Sequence, residues 1–172
     1  VAPEEVVVTP GAKPIMFFTI MAMIGEGDEV IHPNPGFPIY ESVINFVGGV
    51  PVPIPLREES GCGFDLDLFE RRILPKTKLI VINSPENPTG GVLDRGQIER
   101  IARIAVERNI PVLTDEIYRQ FLYEGEFASI MNLPGMRERT ILLDGFSKSY
   151  AMTGWRLGYG VDRKSTRLNS SH

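Results

Sequence analysis

Four short segments of this chain carry residues able to do chemistry together. Lys148, in the run Gly145-Phe-Ser-Lys148-Ser-Tyr-Ala-Met-Thr-Gly-Trp-Arg156, is an amine flanked by small hydroxyl residues. A lysine so placed can attack a carbonyl once burial or a nearby cation weakens its hold on a proton; taken alone, though, most lysines are solvated surface cations. Asp115, in Thr114-Asp-Glu-Ile-Tyr118, closes an apolar run. A carboxylate there is costly to bury without a partner. It is either a fixed anion for a cationic ligand atom or the cap of a following helix. Asn87, between the prolines of Ser84-Pro-Glu-Asn-Pro-Thr-Gly90, is an amide donor on a tight loop, or only part of a well-made turn. Gly11-Ala12-Lys13, with Pro14 behind, opens a helix. Small residues at that position let backbone N–H groups approach an anion.

To act together these residues must be brought to one place by the elements around them. Short β-branched runs alternate with amphipathic stretches, the pattern of a mostly parallel sheet with crossover helices. Strands are predicted over Val6–Thr9, Glu29–His32, Val50–Ile54, Leu79–Asn83, Val112–Asp115, Ile141–Asp144 and Leu157–Val161. Several are apolar on both faces, as strands covered by helices on both sides must be. The clearest helix is Arg95–Arg108, where Ile98, Ile101, Ala102 and Ala105 form one stripe. Asp94 precedes it as N-cap with Gln97 three residues on, and Asn109 and Pro111 stop it. Further helices are predicted over Lys13–Ile24, Ile39–Phe46, Leu66–Ile73 and Glu116–Leu122. The expected fold is a three-layer α/β/α unit. In such sheets ligands bind at the carboxyl ends of the strands, which is where Asn87, Asp115 and Lys148 fall.

Composition narrows the field. Of 172 residues 42% are hydrophobic and 23% charged, the balance of an ordinary globular domain, and the net charge of −4 argues against a nucleic-acid surface. The longest apolar run, Ile15 to Ile24, is about half the length a membrane span requires. Cys62 is the lone cysteine, so no disulfide framework exists, and a cytoplasmic setting is expected.

Taken together, SPENPTGG, TDEIY and GFSKSYAMTGWRLGY resemble, in order and separation, the class I/II aminotransferases of pyridoxal-phosphate (PLP) fold type I. The resemblance covers essentially Val1 to Val161. It implies that Lys148 forms a Schiff base with the PLP aldehyde and later moves a proton between substrate Cα and cofactor C4′. It implies that Asp115 pairs with the pyridine nitrogen, and that Tyr118 and Asn87 hydrogen-bond the 3′ oxygen. It places Arg156 and the Gly11-Ala12-Lys13 segment on the phosphate, and Phe37, in Pro35-Gly-Phe-Pro-Ile-Tyr40, against the ring face. Many relatives carry a serine as phosphate ligand where this chain has Gly145. Ser147 is the expected substitute, with Ser149 also available.

The activity implied is amino-group transfer between an amino acid and a 2-oxo acid, with an aspartate/aromatic lean, in a homodimer. Related enzymes of the same cradle cleave carbon–sulfur bonds by β-elimination or form a cyclopropane product, and some transcription regulators carry an aminotransferase-like effector domain. The chain opens without methionine and enters a strand-like run at once, and Asp162 to His172 turns abruptly polar. Residues 1–161 are therefore expected to be an incomplete PLP-binding large domain, without the small domain that supplies the carboxylate-binding arginine. The segment 162–172 resembles a translated sequencing adapter and is expected to be a non-native tail.

Overall fold

The computed structural model describes residues 1–163; most of the polar tail, 164–172, lies outside the described residues. The strands are β1 (Val6–Pro10), β2 (Glu29–Asn34), β3 (Val50–Arg57), β4 (Gly63–Phe64), β5 (Thr77–Asn83), β6 (Val112–Asp115), β7 (Thr140–Gly145) and β8 (Leu157–Val161). The helices are α1 (Lys13–Met23), α2 (Ile39–Phe46), α3 (Leu66–Arg72) and α4 (Arg95–Glu107). Among the described residues the strands form one sheet in the order β1-β8-β7-β6-β5-β2-β3-β4. Its centre, from β3 through β2, β5 and β6 to β7, is parallel. β8 runs antiparallel to both β7 and β1, and β4 antiparallel to β3.

The apolar residues of the central strands divide between the two faces with period two. In β5, Leu79 and Val81 join the core under α1 and α2, while Ile80 and Ile82 join the core under α3 and α4. In β6, Leu113 goes to the first face and Val112 to the second. Each such side chain, fully withdrawn from water, contributes about 1.5–3 kcal/mol. The α4 stripe is buried as the spacing predicts, with Ile104 added to it. Its N-terminus carries a reciprocal pair: Gln97 N–H donates to Asp94 Oδ1 at 2.8 Å and Asp94 N–H donates to Gln97 Oε1 at 3.0 Å. Prolines 51, 53 and 55 in β3 are tolerated because its partner β4 reaches only Leu56 and Arg57, which leaves the proline side as a sheet edge.

Every predicted strand is present, several longer by one to three residues, and four of the five helices match within a residue. The fifth does not. Residues 116–122 form a turn followed by a 3₁₀ helix at Arg119–Phe121. Glu116 N–H continues the sheet by donating to Leu143 O at 2.9 Å, and its carboxylate is held by Ser129 at 2.6 Å. Asp115 gives its carboxylate to Tyr40 at 2.7 Å and to Ile117 N–H at 3.2 Å. These ties draw the chain away from a helical path.

Candidate functional site

The register of the parallel strands sets the floor of the site. Asn83 and Asp115 are side by side at the ends of β5 and β6, and Asp115 is level with Leu143 on β7. From these ends spring the three loops that carry Asn87, Tyr118 and Lys148. Seven of the predicted residues, Ala12, Lys13, Phe37, Asn87, Asp115, Tyr118 and Lys148, line one cavity of about 190 Å³. Met16, Asn83, Ile117 and Leu143 complete its wall.

Asp115 lies at the bottom, 7% exposed. Burial pushes its carboxyl up to about 6, against the hydrogen bonds from Tyr40 and the Ile117 N–H, with Asp144 and Glu86 adding like charge. The group is thus an acid that a cation in the cavity would hold ionised. Tyr40 is itself fully buried, and its hydroxyl is raised well above its ordinary value, first by burial and then by Asp115. It therefore donates to Asp115 throughout the ordinary pH range.

Asn87 is held by a loop bonded largely to itself. Glu86 N–H donates to Gly91 O and Gly90 N–H to Glu86 O, both at 2.8 Å. The Glu86 carboxylate accepts from the N–H and hydroxyl of Thr89 at 3.1 and 2.8 Å. Asn83 anchors this loop to the floor. Its amide donates to Pro85 O and Asp115 O at 3.1 and 2.9 Å, and its oxygen accepts from Asn87 N–H at 2.9 Å. Asn87 Nδ2 points its donor at the Tyr118 hydroxyl, 3.5 Å away. Lys148 Nζ stands 5.5 Å from the centre of the Tyr118 ring, and Lys13 Nζ 5.6 Å from that of Phe37.

Gly11 and Arg156 meet at the opening of α1. A Cβ on Gly11 would overlap the Arg156 guanidinium, and Gly11 is also left-handed at φ 84°. Arg156 donates to Pro10 O at 3.3 Å and to Thr153 O at 3.0 Å. A Cβ on Gly158 would overlap the Gly11 carbonyl carbon and the Ala12 nitrogen. Backbone N–H groups, a helix start and a guanidinium thus converge here, the combination that suits an anion. Ser147 does not line the cavity; its carbonyl accepts from the Thr153 hydroxyl at 3.1 Å. Gly145 is pressed against Gly158, where an added Cβ would stand 3.2 Å from the Gly158 Cα.

The sequence profile of aminotransferase class I and II matches residues 1–167. The chain belongs to that family. It is 45% identical to an aspartate aminotransferase of Sulfurisphaera tokodaii over 94% of this chain and 41% of the relative. It is 40% identical to aromatic-amino-acid aminotransferase 2 of Thermococcus litoralis over 90% of this chain and 40% of the relative. The solved structure of Thermus thermophilus aspartate aminotransferase with maleate matches with a TM-score of 0.93 at 40% identity, over 99% of this chain and 44% of that one. The chain spans about two-fifths of the length of the curated relatives it matches.

Three residues of this aminotransferase chain escaped the sequence reading: Tyr40, Asn83 and Arg119. Asn83 had a signal, as a polar residue ending a wholly apolar strand. Tyr40 and Arg119 had none, because their partners are far away in sequence. Beside Asp115, on the same strand ends, is a second set of carboxylates. Asp144, 3% exposed, accepts from the Tyr159 hydroxyl at 2.8 Å and the Gly145 N–H at 2.7 Å, and pairs with Arg119 at 2.9 Å. Burial pushes the Glu116 carboxyl up to about 7, over the opposing bonds from Ser129 and Thr114.

Glu116 therefore makes stability depend on pH with a definite sign. Its folded value lies above the ordinary 4.5, so between about 4.5 and 7 the folded chain keeps a proton that the unfolded chain has lost. Its contribution is most favourable below 4.5 and is lost as pH rises through 7. Glu116→Gln is expected to gain on wild type as pH rises from 5 to 8, by on the order of 2 kcal/mol. Denaturant unfolding of the cofactor-free protein at several pH values checks this; a gap that stays constant with pH would remove Glu116 as the source.

Proposed function

We propose that this chain carries the cofactor cradle of a PLP-dependent transaminase that moves an amino group between an amino acid and a 2-oxo acid. One observation carries the reading: Lys148, Asp115, Asn87 and Tyr118 line a single cavity, with Gly11 and Arg156 together beside it. The residues fit PLP. A buried acid raised by desolvation calls for a cation, which a protonated pyridine ring provides, and the glycines at 11 and 158 let the Arg156 guanidinium and β8 close against the start of α1, where an anion is favoured.

When bound, PLP supplies an aldehyde that condenses with amines and a ring that accepts the electrons of a carbanion. In this reading the protein's residues do the rest. Lys148 holds the cofactor and then carries the proton between substrate Cα and cofactor C4′, general acid–base work by one amine within reach of both atoms. Asp115 keeps the ring nitrogen protonated, and Tyr40 holds the aspartate in place. Tyr118 and Asn87 donate to the 3′ oxygen. Arg156, the amides of Gly11 to Lys13, and Ser147 take the phosphate, and Phe37 limits tilt of the ring.

The named relatives favour aspartate or aromatic amino acids as donors. None of the relatives compared above is named a lyase, a synthase or a regulator, so those alternatives are not favoured. Among the described residues no helix is long and apolar enough to cross a membrane. A cytoplasmic homodimer is part of the same proposal; Phe18 on α1 and Phe46 on α2, 60% and 72% exposed, offer apolar surface to a second copy.

The test is to incubate the full-length protein with PLP, reduce with borohydride, digest and map the adduct. A pyridoxyl group on Lys148, followed by amino transfer from aspartate or phenylalanine to 2-oxoglutarate, is the expected result. Folded protein that yields no adduct would dismiss the reading.

A further inference from the structure

We infer that Arg119 is the positioning residue of this site: it fixes the Tyr118 loop to the end of β7 and neutralises the carboxylate of Asp144 that stands behind Asp115. The inference rests on the PLP reading above and adds a residue to it.

The Tyr118 loop has little of its own to hold it. It is a turn and a single 3₁₀ segment, closed by Arg119 N–H to Glu116 O at 3.0 Å and Phe121 N–H to Tyr118 O at 2.8 Å. Such short segments have poor hydrogen-bond geometry and are set by what they pack on. Tyr118 gains an edge contact with Phe121 at 6.1 Å, but that residue is on the same loop. The next residue, Arg119, reaches across to another strand. Its Nε is 2.9 Å from Asp144 Oδ2, and Asp144 is fixed in turn by Tyr159 and by its own strand's Gly145 N–H. Asp144 starts the connection to Lys148, and Tyr159 packs on the Phe146 ring at 5.9 Å. One ion pair thus joins the loop of the phenol to the strand of the amine.

The charges at this place also need a cation. Asp115, Glu116 and Asp144 end neighbouring strands, and all three are buried. Asp144 acts unfavourably on the charge of both Asp115 and Glu116, and Arg119 favours that of Glu116. Thr114 and Ser129 supply Glu116 with neutral donors only. Arg119 is the counter-charge, and its N–H is not aimed at the Asp144 oxygen, so the contact acts through charge rather than through a directed hydrogen bond. A lysine that reaches the same place should therefore substitute for it, unlike at a two-pronged arginine–carboxylate contact.

Without the guanidinium, the Tyr118 loop would lose its tie to Asp144, and Asp144, left with only the neutral donors Tyr159 and Gly145 N–H, would add uncompensated negative charge near the cofactor. Both changes favour the protonated form of a cofactor bound at Lys148. The experiment uses full-length protein loaded with PLP and compares wild type, Arg119→Gln and Arg119→Lys. It follows the bound cofactor's visible absorbance against pH, its dissociation constant by equilibrium dialysis, and thermal melting of the cofactor-free forms. Arg119→Gln is expected to move the absorbance midpoint to higher pH and weaken cofactor binding roughly tenfold, the size seen when a support behind a bound group is removed. Arg119→Lys should restore both. If Arg119→Gln does not fold, Arg119→Met, which keeps the side-chain stem, is read in the same way. A lower melting temperature with an unmoved midpoint and unchanged affinity would make Arg119 merely structural and overturn the inference alone. Wild-type protein that takes up no PLP would overturn the cofactor reading and this inference with it.

Discussion

Replacing Lys148 by alanine in the full-length protein is expected to cut turnover at least about a thousandfold, since the proposed mechanism makes the same amine anchor and proton carrier, and proton transfer by a placed group alone is worth about 10²–10⁴. The loss should be in kcat more than in cofactor retention. Gly11 and Arg156 meet at the start of α1, outside the lining of the cavity that Lys148 faces, and Asp115 is untouched by the change, so PLP should still bind without its covalent link. The check is steady-state kinetics together with equilibrium dialysis of PLP. Turnover near wild type would rule Lys148 out of both roles. Complete loss of cofactor would show that the phosphate cluster contributes little.

Asp115→Asn is the second large expected effect. The change keeps the size of the side chain and removes the anion on which, in the proposed mechanism, protonation of the ring nitrogen depends. Loss of the substrate Cα proton should slow on the order of a thousandfold, the scale of removing one preorganised charge-stabilising group. The adduct on Lys148 should still form. Exchange of the substrate Cα proton with deuterated water, followed by NMR, separates this step from later ones. An unchanged exchange rate would mean that the buried carboxyl is only a structural partner for Tyr40. Asparagine can still accept from the Tyr40 hydroxyl at its oxygen, so a collapse of the floor is not expected to confuse the result.

What could be read in the sequence divides along the distance over which a residue's surroundings are set. The alternation of β5 and the reciprocal cap of α4 are written within ten residues, and both are present as expected. Asp115, Asn87 and Lys148 could be placed because the first ends its strand, the other two follow theirs within a few residues, and parallel strands end together. Residues 116–122 were misread as a helix because their apolar spacing is helical, while the ties that prevent it run to Ser129, Leu143 and Tyr40. The bond from Tyr40 to Asp115 spans 75 residues and the pair from Arg119 to Asp144 joins a 3₁₀ segment to a separate strand, so no local pattern announces either. Gly145, met first as a departure from a serine, is explained by the closeness of β8: a side chain there would press on the Gly158 backbone.

The antiparallel pairing of β1 with β8 bears on when the proposed phosphate cluster can first form. Gly11 follows β1 and Arg156 precedes β8, and they meet only through that ladder, from Val6 opposite Val161 to Pro10 opposite Leu157. β8 itself takes its place against β7, which needs the parallel strands before it. During synthesis, then, a ribosome must release almost all of the described chain before the segment made near its start can join the arginine made near its end. A growing polypeptide that stops halfway through the described residues lacks the Gly11–Arg156 cluster. If the proposed phosphate cluster holds PLP, capture of the cofactor would report that β8 has docked.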